Sequence, residues 1–124
     1  MKKKLVQEKD AITNLIRKAF LRQQYTKRSR VYKILKCDWN TLKIHIESQF
    51  DDNMNWNNRG KYGWHVDHII PLYYAKNKKE LIKLNYYKNL QPLWYKKNLK
   101  KGANLDISII NSELIELYNT IIFR

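Results

Sequence analysis

The residues of this chain best suited to chemistry fall in two short segments. The first, Trp64-His65-Val66-Asp67-His68-Ile69-Ile70-Pro71-Leu72, sets two of the chain's 3 histidines beside a carboxylate among apolar neighbours. The second, Asn89-Leu90-Gln91-Pro92-Leu93-Trp94, is followed closely by Asn98-Leu99-Lys100-Lys101-Gly102. On a strand, His65 and Asp67 point to one face and Val66 to the other. His68 lies where the strand can turn, so its ring could share a cleft with Asp67. An aspartate beside a histidine in a basic chain points to a metal ligand next to a general base. Taken alone the Asp-His pair is a weak signal, because a buried histidine bonded to a neighbouring carboxylate is its commoner meaning.

The surrounding pattern supplies elements to position these groups. Ile12, Leu15, Ile16, Ala19 and Phe20 recur at helical spacing and predict a helix over about residues 7–23, with Arg17, Lys18 and Arg22 on other faces. Tyr25 to Arg30 reads as a basic loop, and Ser29 as the cap of a short helix through Leu35. Asp38 is a good N-cap for a helix carrying Leu42, Ile46 and Phe50. Asp51 to Gly63 reads as a long loop pinned by Met54 and Trp56. A strand is predicted near residue 64, a helix over Lys78–Tyr87, and a second strand over Leu90–Trp94 that Pro92 restricts to an edge or a bulge. Tyr95–Lys101 reads as a short helix ended by Gly102, and Ser112–Ile122 as a last amphipathic helix. Trp56, Trp64 and Trp94 are read as core. His45 is read as structural, the Asp51-Asp52 pair as solvent-facing, and Cys37 as buried and inert.

Taken in order, the segments resemble the HNH endonucleases of the phage and intron-associated branch. The resemblance rests on Asp67-His68-Ile69-Ile70-Pro71-Leu72, Asn89-Leu90-Gln91-Pro92-Leu93-Trp94, and Asn98 with Lys101-Gly102. Upstream, Leu35-Lys36-Cys37, Leu42, His45-Ile46, Gln49-Phe50, Met54, Trp56, Gly60 and Trp64-His65 extend it to about residues 31–102. It implies a small, mostly helical α+β domain built around a ββα-metal (His-Me finger) core. It also implies His68 as the general base, Asp67 and Asn98 as metal ligands, and Asn89 as the brace of the loop between the strands. Asn98 stands where other members carry histidine, which leaves two oxygen ligands. Such a set suits Mg²⁺ or Mn²⁺ first, with Zn²⁺ or Ni²⁺ as alternatives. Hydrolysis of DNA to 5′-phosphate and 3′-hydroxyl ends, by nicking or double-strand cleavage, is the activity implied. His65 stays open between an outer partner of the metal, a third ligand, a phosphate contact and a packed side chain beside Trp64.

Charge gives an independent pointer to the partner. The 124 residues, enough for one domain, hold 25 Lys and Arg against 11 Asp and Glu, a formal net charge of +14. Residues 1–36 carry twelve of those cations against Glu8 and Asp10, so +10 of the excess precedes the motif. Such an excess calls for a polyanion: nucleic acid first, an anionic membrane surface second. Arg17, Lys18, Arg22, Arg59, Lys61, Lys97 and Lys101 are the expected DNA contacts. A single cysteine excludes an internal disulfide framework. No run of about 18 apolar residues marks a membrane span. Met1-Lys2-Lys3-Lys4-Leu5-Val6 meets Gln7-Glu8-Lys9-Asp10 before an apolar core develops, which predicts no secretory signal and a cytoplasmic protein.

The expected organisation is a basic helical segment (1–36), the ββα core (64–102) and a C-terminal helical segment (103–124). DNA is the expected partner, with the N-terminal basic helices, a partner protein or a second copy as the source of any sequence preference. The competing readings are a DNA- or RNA-binding module of the same fold without activity, and a basic structural protein of the ribosomal type.

Overall fold

The computed structural model describes residues 12–18, 21 and 31–123. The predicted basic loop, its Ser29 cap, and Ala19, Phe20 and Arg22 of the first helix lie outside the described residues. Residues 12–18 are helical (α1), with Ile12 and Ile16 buried and Arg17 and Lys18 exposed. Val31–Leu35 forms α2 and Trp39–Glu47 forms α3. Lys36 between them adopts the left-handed conformation (φ 61°), which turns the chain out of α2. Asp38 then caps α3 by accepting from the Thr41 N–H at 2.8 Å, the interaction that satisfies one of a helix's unpaired N-terminal donors.

Strand β1 (Trp64–His68) and strand β2 (Leu90–Trp94) form a two-stranded antiparallel sheet. The register sets Trp64 against Trp94, Asp67 against Gln91 and His68 against Leu90. Pro92 lies opposite Val66, and a two-stranded sheet has only edge strands, so its missing N–H is tolerated. The fold is therefore α+β. Helix α4 (Lys78–Leu84) lies in the connection between the strands, and α5 (Tyr95–Lys101) follows β2 without a linker. Gly102 (φ 50°) ends α5 in a conformation that favours glycine. Helix α6 (Ile115–Ile122) completes the order.

Two helices are shorter than their apolar patterns predict. Helix α4 stops at Leu84 rather than Tyr87, and Tyr87–Asn89 is a separate 3₁₀ turn. The reason is that Asn85 leaves the helical conformation (φ −89°, ψ 9°) and turns its amide inward. Helix α6 begins at Ile115 rather than Ser112, because the Asn111 side chain accepts from the N–H groups of Glu113 and Leu114 and holds a turn there.

The main core lies where α1, α2 and α3 meet the sheet. Ile12, Ile16, Ile34, Leu35, Leu42, Ile46, Trp64, Leu81 and Leu90 are buried in it. A second cluster, Ile70, Leu84, Tyr118 and Ile121, packs α6 onto α4 and the segment after β1. The loop over residues 51–63 is held by aromatic contacts, with Trp56 and Phe50 edge-on to Trp64 at 5.2 and 5.1 Å. The Trp64 indole N–H donates to the Asn55 carbonyl at 2.7 Å. Gly63 is required there, since a Cβ at that position would collide with the Asn58 carbonyl. Asp51 is exposed, as expected, but it also accepts from the Trp94 indole at 2.6 Å, which holds its carboxyl below the usual range. Burial, followed by the charge of Asp38, pushes the Cys37 thiol up to about 11, so it is not a thiolate at neutral pH.

His45 joins α3 to β2. Its Nε2–H donates to the Leu90 carbonyl at 3.0 Å, and its ring packs edge-on against Tyr87. Burial lowers its pKa from the ordinary 6.5, while the bond to Leu90 works the other way. A histidine with a depressed folded pKa contributes stability that is present above the unfolded value and lost as pH falls through the folded one. The melting temperature is therefore expected to fall as pH drops below about 6.5. The advantage of wild type over His45→Gln should narrow across the same range, as read by thermal melts in a buffer series. A constant difference would show that His45 does not titrate on unfolding.

Candidate functional site

Asp67 and His68 end β1, and Asn98 sits in the middle of α5. The strand pairing brings them together, because α5 springs from the β2 end that lies beside the start of β1. The Tyr95 N–H donates to the Gly63 carbonyl at 2.9 Å, so α5 starts against the sheet. His65, Asp67, His68, Asn98 and Lys101 all line one cavity of about 760 Å³. Arg59 and Lys61 also line it, because Arg59 bridges to Trp64 and the Gly60 N–H donates to the Trp64 carbonyl. Lys18, with Asn14 and Leu15, brings α1 to the same wall. The N-terminal cations are thus not all remote from the site. Arg17 and Lys97 are exposed and do not line the cavity, and Arg22 lies outside the described residues.

Asn89 is fully buried and uses its whole amide on backbone. Its Oδ1 accepts from the Ile70 N–H at 2.8 Å, and its Nδ2 donates to the carbonyls of Ile70 at 3.1 Å and Leu84 at 2.7 Å. Its own carbonyl accepts from the Ile69 N–H at 2.8 Å. The residue therefore clamps the exit of β1 to the entry of β2 and the end of α4. His68 is nearly buried at 7% exposure. Its Nε2 lies 2.7 Å from Asn85 Oδ1. Asn85 is a partner that the sequence reading missed. The uninterrupted apolar spacing of Leu81, Ile82 and Leu84 made it look like an ordinary helical position, and its place four residues before Asn89 was the one signal available.

The Asp67 carboxylate has two protein partners among the described residues. Gln91, its cross-strand neighbour, donates to Oδ2 at 2.9 Å. The Lys101 ammonium sits 3.1 Å from Oδ2 and 3.4 Å from Oδ1, and also donates to the His68 carbonyl at 2.7 Å. Lys101, expected on the surface as a phosphate contact, is turned inward instead, with its side chain only 14% exposed. The open face of α5 is left to Lys96, Lys97 and Lys100. His65 spans the strand and the helix: its Nδ1 lies 3.4 Å from Asn98 Nδ2 and its Nε2 lies 3.2 Å from the Lys61 carbonyl. That gives it a packing partner on each side and places it beside Asn98.

Among the described residues, no three His, Cys, Asp or Glu side chains converge as a metal-holding group. Asp67 and Asn98 bring a carboxylate and an amide to the cavity lining, with His65 next to the amide. Such a sparse set of hard oxygens fits a cation that keeps most of its own water, as Mg²⁺ does, and does not fit a closed zinc site.

No family model matches the chain, and no solved structure matches it. It is 39% identical over 72 residues to "Uncharacterized protein L426" of Acanthamoeba polyphaga mimivirus, a stretch that takes in 56% of this chain and 30% of that one. It is also 39% identical over 56 residues to "Uncharacterized protein L246" of the same virus, covering 36% and 24%. The chain thus matches less than a third of the length of either relative. Among the described residues no helix is long and apolar enough to cross a membrane.

The Asn89 clamp has a direct test. Asn89→Ala leaves the Ile70 N–H and the carbonyls of Ile70 and Leu84 without their partner in a buried place, a cost of at least about 2 kcal/mol. Asn89→Asp keeps the acceptor for Ile70 but turns a carboxylate oxygen toward two carbonyls, and should also destabilise. Urea unfolding of both variants measures this; a midpoint equal to wild type would show that the amide is dispensable.

Proposed function

We propose that this chain is a metal-dependent endonuclease of the HNH type that hydrolyses DNA phosphodiester bonds. The observation that carries the reading is the convergence of Asp67, His68 and Asn98 on one cavity whose wall also holds Lys18, Arg59 and Lys61. The antiparallel β1–β2 pair followed directly by α5 is compatible with the ββα arrangement that the sequence resemblance implies and supports the reading. The hydrogen bonds of the fully buried Asn89 to the Ile70 and Leu84 backbone support the bracing role assigned to it in this reading.

Hydrolysis needs an activated water, a stabiliser for the charge that builds on phosphorus, and help for the leaving oxygen. A bound divalent cation supplies Lewis acidity to the phosphate and to the leaving 3′ oxygen. Asp67 and Asn98 are the residues that would hold it, with His65 beside Asn98. His68 takes the proton from the attacking water, a role suited to an imidazole at neutral pH. Lys18, Arg59 and Lys61 hold the phosphates of the strand at the cavity, and the net charge of +14 draws the polyanion in. Phosphate contacts of this kind position the strand without reading its sequence.

A nucleic-acid-binding module without activity is the second reading. The inward Lys101 is the observation that favours it, since the ammonium already neutralises Asp67. Supercoiled plasmid incubated with Mg²⁺, Mn²⁺, Zn²⁺ or a chelator separates the two. Relaxed product with Mg²⁺ or Mn²⁺, lost on chelation, is expected. His68→Ala should lower the rate about 10²–10⁴-fold while DNA binding persists. Plasmid that stays supercoiled with every metal, though bound, would establish the binding module.

Calorimetry with Mn²⁺ tests the ligands apart from activity. Asp67→Ala should weaken binding more than Asn98→Ala, because it removes a charge as well as a donor. Equal affinity in wild type and both variants would remove the metal from the proposal.

The cationic wall predicts a salt dependence. Each phosphate neutralised contributes a slope of about −0.9 on a log-log plot of affinity against salt. Lys18→Glu with Arg59→Glu should flatten the slope by about one to two units and leave the fold intact, since both side chains lie outside the apolar core. An unchanged slope would place the DNA grip elsewhere.

A further inference from the structure

Asn85 stands at the end of α4, fully buried, with its side chain between two groups of different character. On one side its Nδ2 donates to the Leu81 carbonyl at 2.9 Å. On the other its Oδ1 lies 2.7 Å from His68 Nε2. Each contact decides the other. A carbonyl only accepts, so the amide nitrogen must face Leu81. The amide oxygen must then face the ring, and that oxygen also only accepts. Reversing the amide would set oxygen against oxygen at Leu81 in a fully buried place, where a lost hydrogen bond is expensive. Nε2 of His68 must therefore carry the proton of this contact. In a neutral imidazole only one nitrogen is protonated, so Nδ1 holds the basic lone pair.

We propose that Asn85 is a positioning residue that selects the Nε2–H tautomer of His68 and so leaves the basic lone pair on Nδ1. The choice of Nδ1 as the reacting atom rests on the proposed role of His68 as base; the choice of tautomer does not. The two buried asparagines thus divide the work. Asn89 clamps backbone to backbone, and Asn85 aims a ring through the end of α4. The arrangement also couples the base to α4, whose own start is set by Asn77 accepting from the Glu80 N–H at 2.9 Å. A shift of α4 along its axis would move the Asn85 oxygen and turn the His68 ring with it.

The test is nitrogen NMR on the full chain with ¹⁵N-labelled histidine, at alkaline pH so that the ring is neutral. Wild type should show one set of His68 signals, with Nε2 protonated and Nδ1 bare. A protonated Nδ1 in wild type would overturn the proposal without any variant. Asn85→Leu, similar in volume but without an acceptor, should give averaged shifts at both nitrogens, the mark of two exchanging tautomers. Asn85→Asp, which keeps an acceptor toward Nε2, should restore a proton there. A wild-type pattern in a folded Asn85→Leu would show that Asn85 does not select the tautomer. On plasmid, Asn85→Leu should lower kcat about 10–100-fold with KM for DNA unchanged, and Asn85→Asp should lower it less. Wild type that holds the tautomer but cleaves no plasmid would remove the nuclease reading and leave the selection of the tautomer standing.

Discussion

The fold turns on one buried carboxamide. Among the described residues the sheet has only two short strands, and 21 residues run between them, including a helix. Nothing in strand pairing alone keeps such a connection close to the sheet. Asn89 does so by giving its donors and its acceptor to the backbone of Ile70 and Leu84, at a point where no water can substitute. The same clamp sets where β1 ends, and His68 is the last residue of that strand. The reach of His68 to the cavity thus depends on a neutral side chain.

The aromatic packing does comparable work upstream. Trp64 is fully buried at the start of β1 and is gripped by Phe50, Trp56 and the Asn55 carbonyl. These contacts order a polar, asparagine-rich loop that would otherwise have little apolar area to bury. The loop in turn delivers Arg59 and Lys61 to the cavity wall beside His65. Arg59 and Lys61 are therefore placed by tryptophan packing, and only secondarily by charge.

Charge within the cavity is balanced unevenly. One half-buried carboxylate, Asp67, meets the ammonium of Lys101 and the amide of Gln91. A half-buried ion pair of this kind is weak as a source of stability, because desolvation offsets most of its attraction. Its more useful property is that it holds α5 to the end of β1, since the same ammonium also binds the His68 carbonyl. A divalent cation on Asp67 would have to share or displace that contact, so the sheet and α5 would register its arrival.

The sequence by itself determined the parts whose physics is local. Alternating and apolar runs placed β1 and β2, with Pro92 tolerated because neither strand has a second neighbour. Asp38 marked the start of α3, and Gly102 the end of α5, because caps depend on residues three or four apart. The bracing role of Asn89 was legible through the family resemblance, and the charge excess was visible in composition. What only the tertiary structure decided were contacts between residues far apart in the chain. Asn85 meets His68 across 17 residues, and Lys101 reaches the His68 carbonyl across 33. Lys18 comes to the cavity because the apolar face of α1 packs into the core. No spacing rule encodes such meetings. They follow from how whole elements bury their apolar faces, and a lysine or an asparagine reads the same in sequence whether it then faces water or a buried partner.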